Sequence, residues 1–201
     1  MKTIILSCAH GEEVLGKASP DGLHKEYAWS RKIQYAIANE LTKKGVSVIL
    51  IPAKGVQQEP GLWNRVNMEN HISEPAFVFS LHNNAAGNGK EWKKARGVEI
   101  WTSKGQTKSD EYATLIYESL QRAFPNINGT FPVNVFWRKD TRDGDVDKEE
   151  NFVELMSIHP AVLLEWLFQD NTSDFHLLMN DDVNSRLVYI LSDILFEIAM
   201  S

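Results

Sequence analysis

Along this chain, short apolar runs alternate with longer amphipathic stretches. Residues 2–8 are apolar and followed by Gly11, the pattern of a buried strand. Residues 11–25 hold the breakers Gly16, Pro20 and Gly22 and read as a loop. From 26 to 44 the spacing is helical, with Ala28, Ile33, Ala36, Ile37 and Leu41 assigned to the apolar face and Gly45 as the stop. VSVILI at 46–51 is β-branched and apolar, hence a strand. Residues 62–72 predict a second helix with Trp63, Val66 and Ile72 as its apolar contacts, and residues 76–81 a third strand.

A polar loop at 83–95 leads to GVEIWT at 97–102, which alternates as a half-buried strand does. Tyr112, Leu115, Ile116 and Leu120 mark a helix over 109–124. Residues 125–151 carry prolines, glycines and the charged run RKDTRDGDVDKEE; a short strand is expected at 152–156 and a buried one at 161–166. The stretch 174–199 is mostly helical, its apolar side formed by Leu187, Ile190, Leu191, Ile194 and Ile198. Strands alternating with helices imply an α/β fold, a three-layer αβα sandwich with a mainly parallel, mixed central sheet. With no internal repeat and no shift in composition, one domain spanning 1–201 is expected.

Composition narrows the function classes. The chain is 43% hydrophobic and 24% charged, with a formal net charge of −6, and it shows no basic stripe, so no nucleic-acid partner is expected. One cysteine, Cys8, excludes an intramolecular disulfide and reads as a small buried thiol. No apolar run approaches the ~20 residues that a membrane-spanning helix needs. The N-terminal apolar stretch is too brief for a signal-peptide core and runs straight into His10, so no export signal is expected.

Four scattered residues carry candidate chemistry. His10, His82 and Glu165 each follow an apolar run, at the strand ends where open α/β sheets place their sites, and Glu26 opens the first long helix. Two imidazoles and a carboxylate make a three-ligand zinc site with an open position, and a further carboxylate can act as general base. Other polar residues have plainer readings. Trp166 reads as packing, His24 as exposed or outside the ligand set, and His159 as an exposed loop residue, with oxyanion contact as the alternative. Asp143, Asp145 and Asp147 flank and follow Gly144 but lack the later bidentate glutamate of a calcium loop, which leaves a solvated charged segment. Phe131, Val135, Phe136 and Trp137 are expected to anchor the loop at 138–150, itself outside the folding core and free to tune substrate choice.

Taken in order, the motifs resemble those of the zinc-dependent N-acetylmuramoyl-L-alanine amidases of the third amidase type. His10-Gly11, the Glu26 helix with Leu41 and Gly45, Arg65 with Asn67, Ser80-Leu81-His82-Asn83-Asn84-Ala85, Gly97-Val98-Glu99, and Pro160 to Glu165 with Phe168 and Asn171 carry the resemblance across essentially the whole chain. It implies that His10, Glu26 and His82 bind one Zn2+, that Glu165 is catalytic, and that the bond cut joins the lactyl group of muramic acid to L-alanine. Asn83 and Asn84 are the candidate substrate contacts. Departures occur at Ser7-Cys8-Ala9, where Asp-Pro-Gly is usual, at Leu167, where glycine is common, and before Pro160, where Val-Leu-Arg is missing. The expected partners are peptidoglycan and muropeptides, and the expected state a monomer acting on the cell wall after release by a phage or loss of a leader. A zinc carboxypeptidase or other zinc amidohydrolase, and a non-catalytic wall-binding module, are the alternative readings.

Overall fold

The computed structural model describes residues 1–73, 75–125, 135–140 and 144–201. Phe131 and Asp143 lie outside the described residues. Six strands form one sheet: β1 (Thr3–Cys8), β2 (Val48–Ile51), β3 (Ala76–Asn84), β4 (Glu99–Thr102), β5 (Lys148–Glu149) and β6 (Ala161–Phe168), in the order β2-β1-β3-β6-β4-β5. β1, β2, β3 and β6 run parallel; β4 pairs antiparallel to β6, and β5 parallel to β4. The mainly parallel, mixed sheet expected from the sequence is therefore present.

The helices are α1 (Glu26–Lys43), α2 (Leu62–Asn70), α3 (Lys108–Ala123), α4 (Thr172–Leu178) and α5 (Asp181–Met200). α1, α3 and α5 cover one face of the sheet. There Ile4, Leu6, Phe77, Phe79, Val162 and Leu164 meet Trp29, Ile33, Tyr112, Ile116, Leu187 and Leu191 in the larger apolar cluster. Residues of opposite strand parity, Ile5, Val78 and Leu163, point to the other face and pack against Leu155. His82 and Glu165 share that second face by the same alternation.

Several boundaries differ from the sequence reading. In α1 the buried apolar residues are Trp29, Ile33, Ile37 and Leu41, a strict four-residue spacing, whereas Ala28 is exposed. Gly45 follows α1 at φ 82°, as a helix stop should. Trp63 is largely exposed, because α2 buries Arg65, Val66 and Glu69 instead. No strand forms at 152–156: Leu155 and Met156 donate to the carbonyls of Phe152 and Val153, closing a 3-10 helix at Val153–Leu155. The C-terminal stretch is two helices, since the Asn180 side chain accepts from the amides of Asp182 and Val183 and starts a new one.

The described residues of the charged segment are also not simply solvated. Lys148 and Glu149 join the sheet, Val135 is fully buried, and Trp137 and Val146 pack against the larger cluster. Asp147 is fully buried, accepts the Thr102 hydroxyl at 2.5 Å, and lies beside Asp110 and Asp145. Phe136, expected as an anchor, is exposed.

Candidate metal centre and active-site cleft

The turn after β1, the C-terminal halves of β3 and β6, which continue past His82 and Glu165, and the start of α1 converge above the sheet. β1 ends at Cys8, and His10 takes a φ of 43°, in the left-handed region that non-glycine residues rarely occupy. Ser30 of α1 holds this turn: its hydroxyl accepts from the Ala9 amide at 3.0 Å and donates to the Leu81 carbonyl at 2.6 Å, joining the ends of β1 and β3. Arg31 and Gln34 donate to the carbonyls of Ala9 and Ser7. Gly11 has to be glycine: a Cβ there would stand 2.3 Å from the backbone nitrogen of Glu59.

Glu26, the first residue of α1, is nearly fully buried, and its carboxylate turns towards the strand ends. Oε1 lies 3.1 Å from His82 Nδ1 and 3.4 Å from His10 Nε2, and it accepts from the Asn83 amide at 3.2 Å. Gln169 donates to Oε2 at 2.9 Å. The two imidazoles stand edge to face, 5.1 Å between centroids. One ligand atom from each of His10, Glu26 and His82 falls within 4.8 Å of the other two.

This donor set fits a small divalent cation. Donors held tetrahedrally at ~2.1 Å from one ion stand roughly 3.4 Å apart, close to the spacings seen here. The surrounding charge fits as well, since Glu26 meets both imidazoles, Glu59 lies beside His10 and Glu154 beside His82. Burial opposes a charged ring, but Glu26 and Glu59 raise the pKa of His10, and Glu154 and Glu26 raise that of His82 well above its ordinary value. Burial likewise works against ionised Glu26 and Glu154. The imidazoles outweigh it, holding Glu26 far below the usual carboxylate range and Glu154 down at about 2.

Glu165 pairs in register with His82 on β3 and Glu99 on β4. The residue keeps some exposure to the cleft, yet its Oε2 is shut off from solvent and has no hydrogen-bond partner among the described residues. Burial pushes its pKa up to about 7; His82 opposes this, while the charges of Glu26 and Glu154 reinforce it. A poorly solvated carboxyl group near neutrality is suited to taking and returning a proton. The cleft above has a volume of about 410 Å³ and is lined by His10, Lys17, Glu26, His82, Asn84, Phe152, Glu154 and Glu165 among others.

The other candidates separate clearly. Asn83 is buried and committed: its amide group donates to the carbonyls of His82 and Trp166, and its Oδ1 meets His24 Nε2 at 2.8 Å. His24 is thus buried, not exposed. Asn84 is half-buried at the cleft and donates to Glu99 at 3.0 Å, while Glu99 also pairs with Arg138 and Lys148. Trp166 is fully buried in the larger cluster and packs on Phe124 and Trp137. His159 precedes β6 at the edge opposite Glu165; its Nε2 faces the Ile72 carbonyl at 3.1 Å, and six residues of extended chain, ~20 Å, separate it from the cleft. Oxyanion contact by His159 is thereby removed. Cys8 is fully buried, and burial pushes its thiol up to about 12.

The sequence reading passed over Ser30, Gln169, Glu59 and Glu154. Glu154 alone left a trace, as the one charge within the apolar run Phe152 to Met156.

The family model for N-acetylmuramoyl-L-alanine amidase matches residues 4–193. The chain belongs to that family. Among solved structures it is similar to the N-acetylmuramoyl-L-alanine amidase from Clostridium difficile 630, with a TM-score of 0.77 at 22% identity, covering 98% of this chain and 95% of that one. The catalytic domain of CwlV, the amidase from Bacillus (Paenibacillus) polymyxa var. colistinus, follows at a TM-score of 0.75 and 18% identity, covering 98% and 97%. The catalytic domain of the CD27L endolysin targeting Clostridia difficile gives 0.64 at 22% identity, covering 96% of each. These likenesses show the amidase fold. No curated protein matches the chain significantly.

Proposed function

We propose that the protein is a zinc-dependent N-acetylmuramoyl-L-alanine amidase that cleaves peptidoglycan between the lactyl group of muramic acid and L-alanine. The observation that carries this reading is the juxtaposition, in a chain of this family, of the His10–Glu26–His82 donor set with the unpartnered Glu165 oxygen in one cleft. His10 Nε2, a Glu26 oxygen and His82 Nδ1 would hold the ion. Zinc so held supplies Lewis acidity, which polarises the scissile carbonyl and makes water acidic enough to attack near neutral pH.

The chain's own groups do the rest. Glu165 takes a proton from the attacking water, as its free oxygen in the cleft allows. The protonated carboxyl then passes that proton to the leaving amine of L-alanine. Gln169 and the Asn83 amide keep Glu26 turned to the ion. Cys8, the single thiol, is buried with a high pKa, so it offers no nucleophile, and none is needed for direct attack by water.

Incubating the zinc-loaded protein with purified peptidoglycan and scoring the digest by mass spectrometry tests the reading. New L-alanine amino termini are expected, and they should vanish in His82→Ala. Release of C-terminal residues without new L-alanine termini would replace the amidase with a carboxypeptidase, and no release at all would leave a binding module.

A further inference from the structure

The two imidazoles present different nitrogens to Glu26: His10 its Nε2 and His82 its Nδ1. Each therefore turns its other nitrogen outward, and each outward nitrogen meets a carboxylate. His82 Nε2 lies 3.0 Å from Glu154 Oε1, and His10 Nδ1 lies 3.9 Å from Glu59 Oε2. The same buried guanidinium lies between these carboxylates. Arg65, fully buried on α2, places Nη2 3.3 Å from Glu59 Oε1 and Nη1 3.9 Å from Glu154 Oε1, and Nη1 also donates to the Cys8 carbonyl just before His10.

We propose that Arg65, Glu59 and Glu154 form a positioning clamp that selects the ring nitrogen each histidine presents to the cation, Nε2 of His10 and Nδ1 of His82. The inference rests on the zinc reading above and adds residues to it. A neutral imidazole has one protonated nitrogen and one with a free lone pair, so an acceptor fixed at one nitrogen assigns the other to the ion. A carboxylate acceptor also makes the ring a better donor to the ion.

The clamp is mutually dependent. Buried Glu154 and half-buried Glu59 repel one another, the Arg65 charge offsets both, and a buried guanidinium without a partner is costly, so each member keeps the others in place. Glu154 reaches the site because the 3-10 helix at Val153–Leu155 packs against α2. At 3.0 Å its contact with His82 is a direct hydrogen bond, so it is the stronger of the two carboxylate arms.

The test measures zinc affinity by competition with a chromophoric chelator and reads the ring tautomers of the zinc-loaded protein by long-range 1H–15N NMR. The wild type should show His10 protonated at Nδ1 and His82 protonated at Nε2. Glu154→Ala should weaken zinc binding roughly 10–100-fold. Glu154→Gln retains an acceptor oxygen but loses the charge; it should keep the His82 tautomer and recover part of the affinity, and it serves as the test if the alanine variant fails to fold. Wild-type affinity in both Glu154 variants, or His82 facing zinc through Nε2, would overturn the clamp while the amidase reading stands. A wild type that binds no zinc would remove both.

Discussion

Replacing Glu165 with glutamine separates the proton-transfer role from the structural burden of a buried charge. The carboxyl sits beside Glu26 and Glu154 with Oε2 unpartnered, and its pKa stands at about 7 instead of 4.5. At about 1.36 kcal/mol per pKa unit this rise corresponds to on the order of 3 kcal/mol. Partial opening of the residue to the cleft brings the expectation to about 1–3 kcal/mol. The sign follows from linkage. Below pH 4.5 both folded and unfolded states carry the proton, and the group makes no difference. As pH rises towards 7 the unfolded state ionises freely while the folded state resists, so stability is lost over that window.

The glutamine variant has nothing to ionise. In the metal-free protein, urea unfolding should therefore show Glu165→Gln more stable than wild type by about 1–3 kcal/mol at pH 8 and nearly equal at pH 4. After zinc is restored its metal content should match wild type, while turnover on peptidoglycan falls roughly 10²–10⁴-fold. Turnover within threefold of wild type would mean that the base lies elsewhere. An unchanged stability gap between pH 4 and 8 would mean that the unpartnered oxygen is compensated in a way the geometry does not show.

Other predictions follow from the same groups. His82→Ala removes one of three donors and should abolish stoichiometric zinc in elemental analysis; full retention would break the ligand assignment. Asp147, fully buried and pushed up to about 7 by burial, with Asp145 and Asp110 reinforcing the rise, loses stability for the fold as pH rises from about 4 to 7. Asp147→Asn should raise the Tm at pH 8 and not at pH 3, and a lower Tm at pH 8 would refute the penalty. Cys8, with its thiol near 12, should resist a thiol-specific disulfide reagent at pH 8 until the chain unfolds, so rapid labelling of the native protein would contradict its burial.

Much of the fold was legible because it depends on short-range rules. Four-residue spacing marked α1 and α3, β-branched runs marked the parallel strands, and Gly45 marked a stop. The reading failed where a local pattern was ambiguous. Phe152 to Met156 is apolar enough for a strand, but it closed into a 3-10 helix that packs against α2. The mostly helical stretch at 174–199 divides at Asn180, whose side chain caps α5. Leu167 stands where the family resemblance has glycine; the structure places it at φ 67°, beside the register shift between β3 and β6, which explains the family's glycine and leaves the leucine strained.

The sequence by itself determined the layered α/β class and the apolar runs that His10, His82 and Glu165 follow, although β3 and β6 run on past His82 and Glu165 to Asn84 and Phe168. Only the tertiary structure decided what surrounds them. Glu26 meets an amide 57 positions away and Gln169 at 143, and Glu154 meets His82 across 72. Nothing local distinguishes Glu59 from a solvated glutamate, and Glu154 shows only as a charge within an apolar run, because in an extended chain water satisfies every carboxylate alike. Packing removes that water, and it is then that a carboxylate's partner, its pKa and the nitrogen each histidine presents acquire definite values.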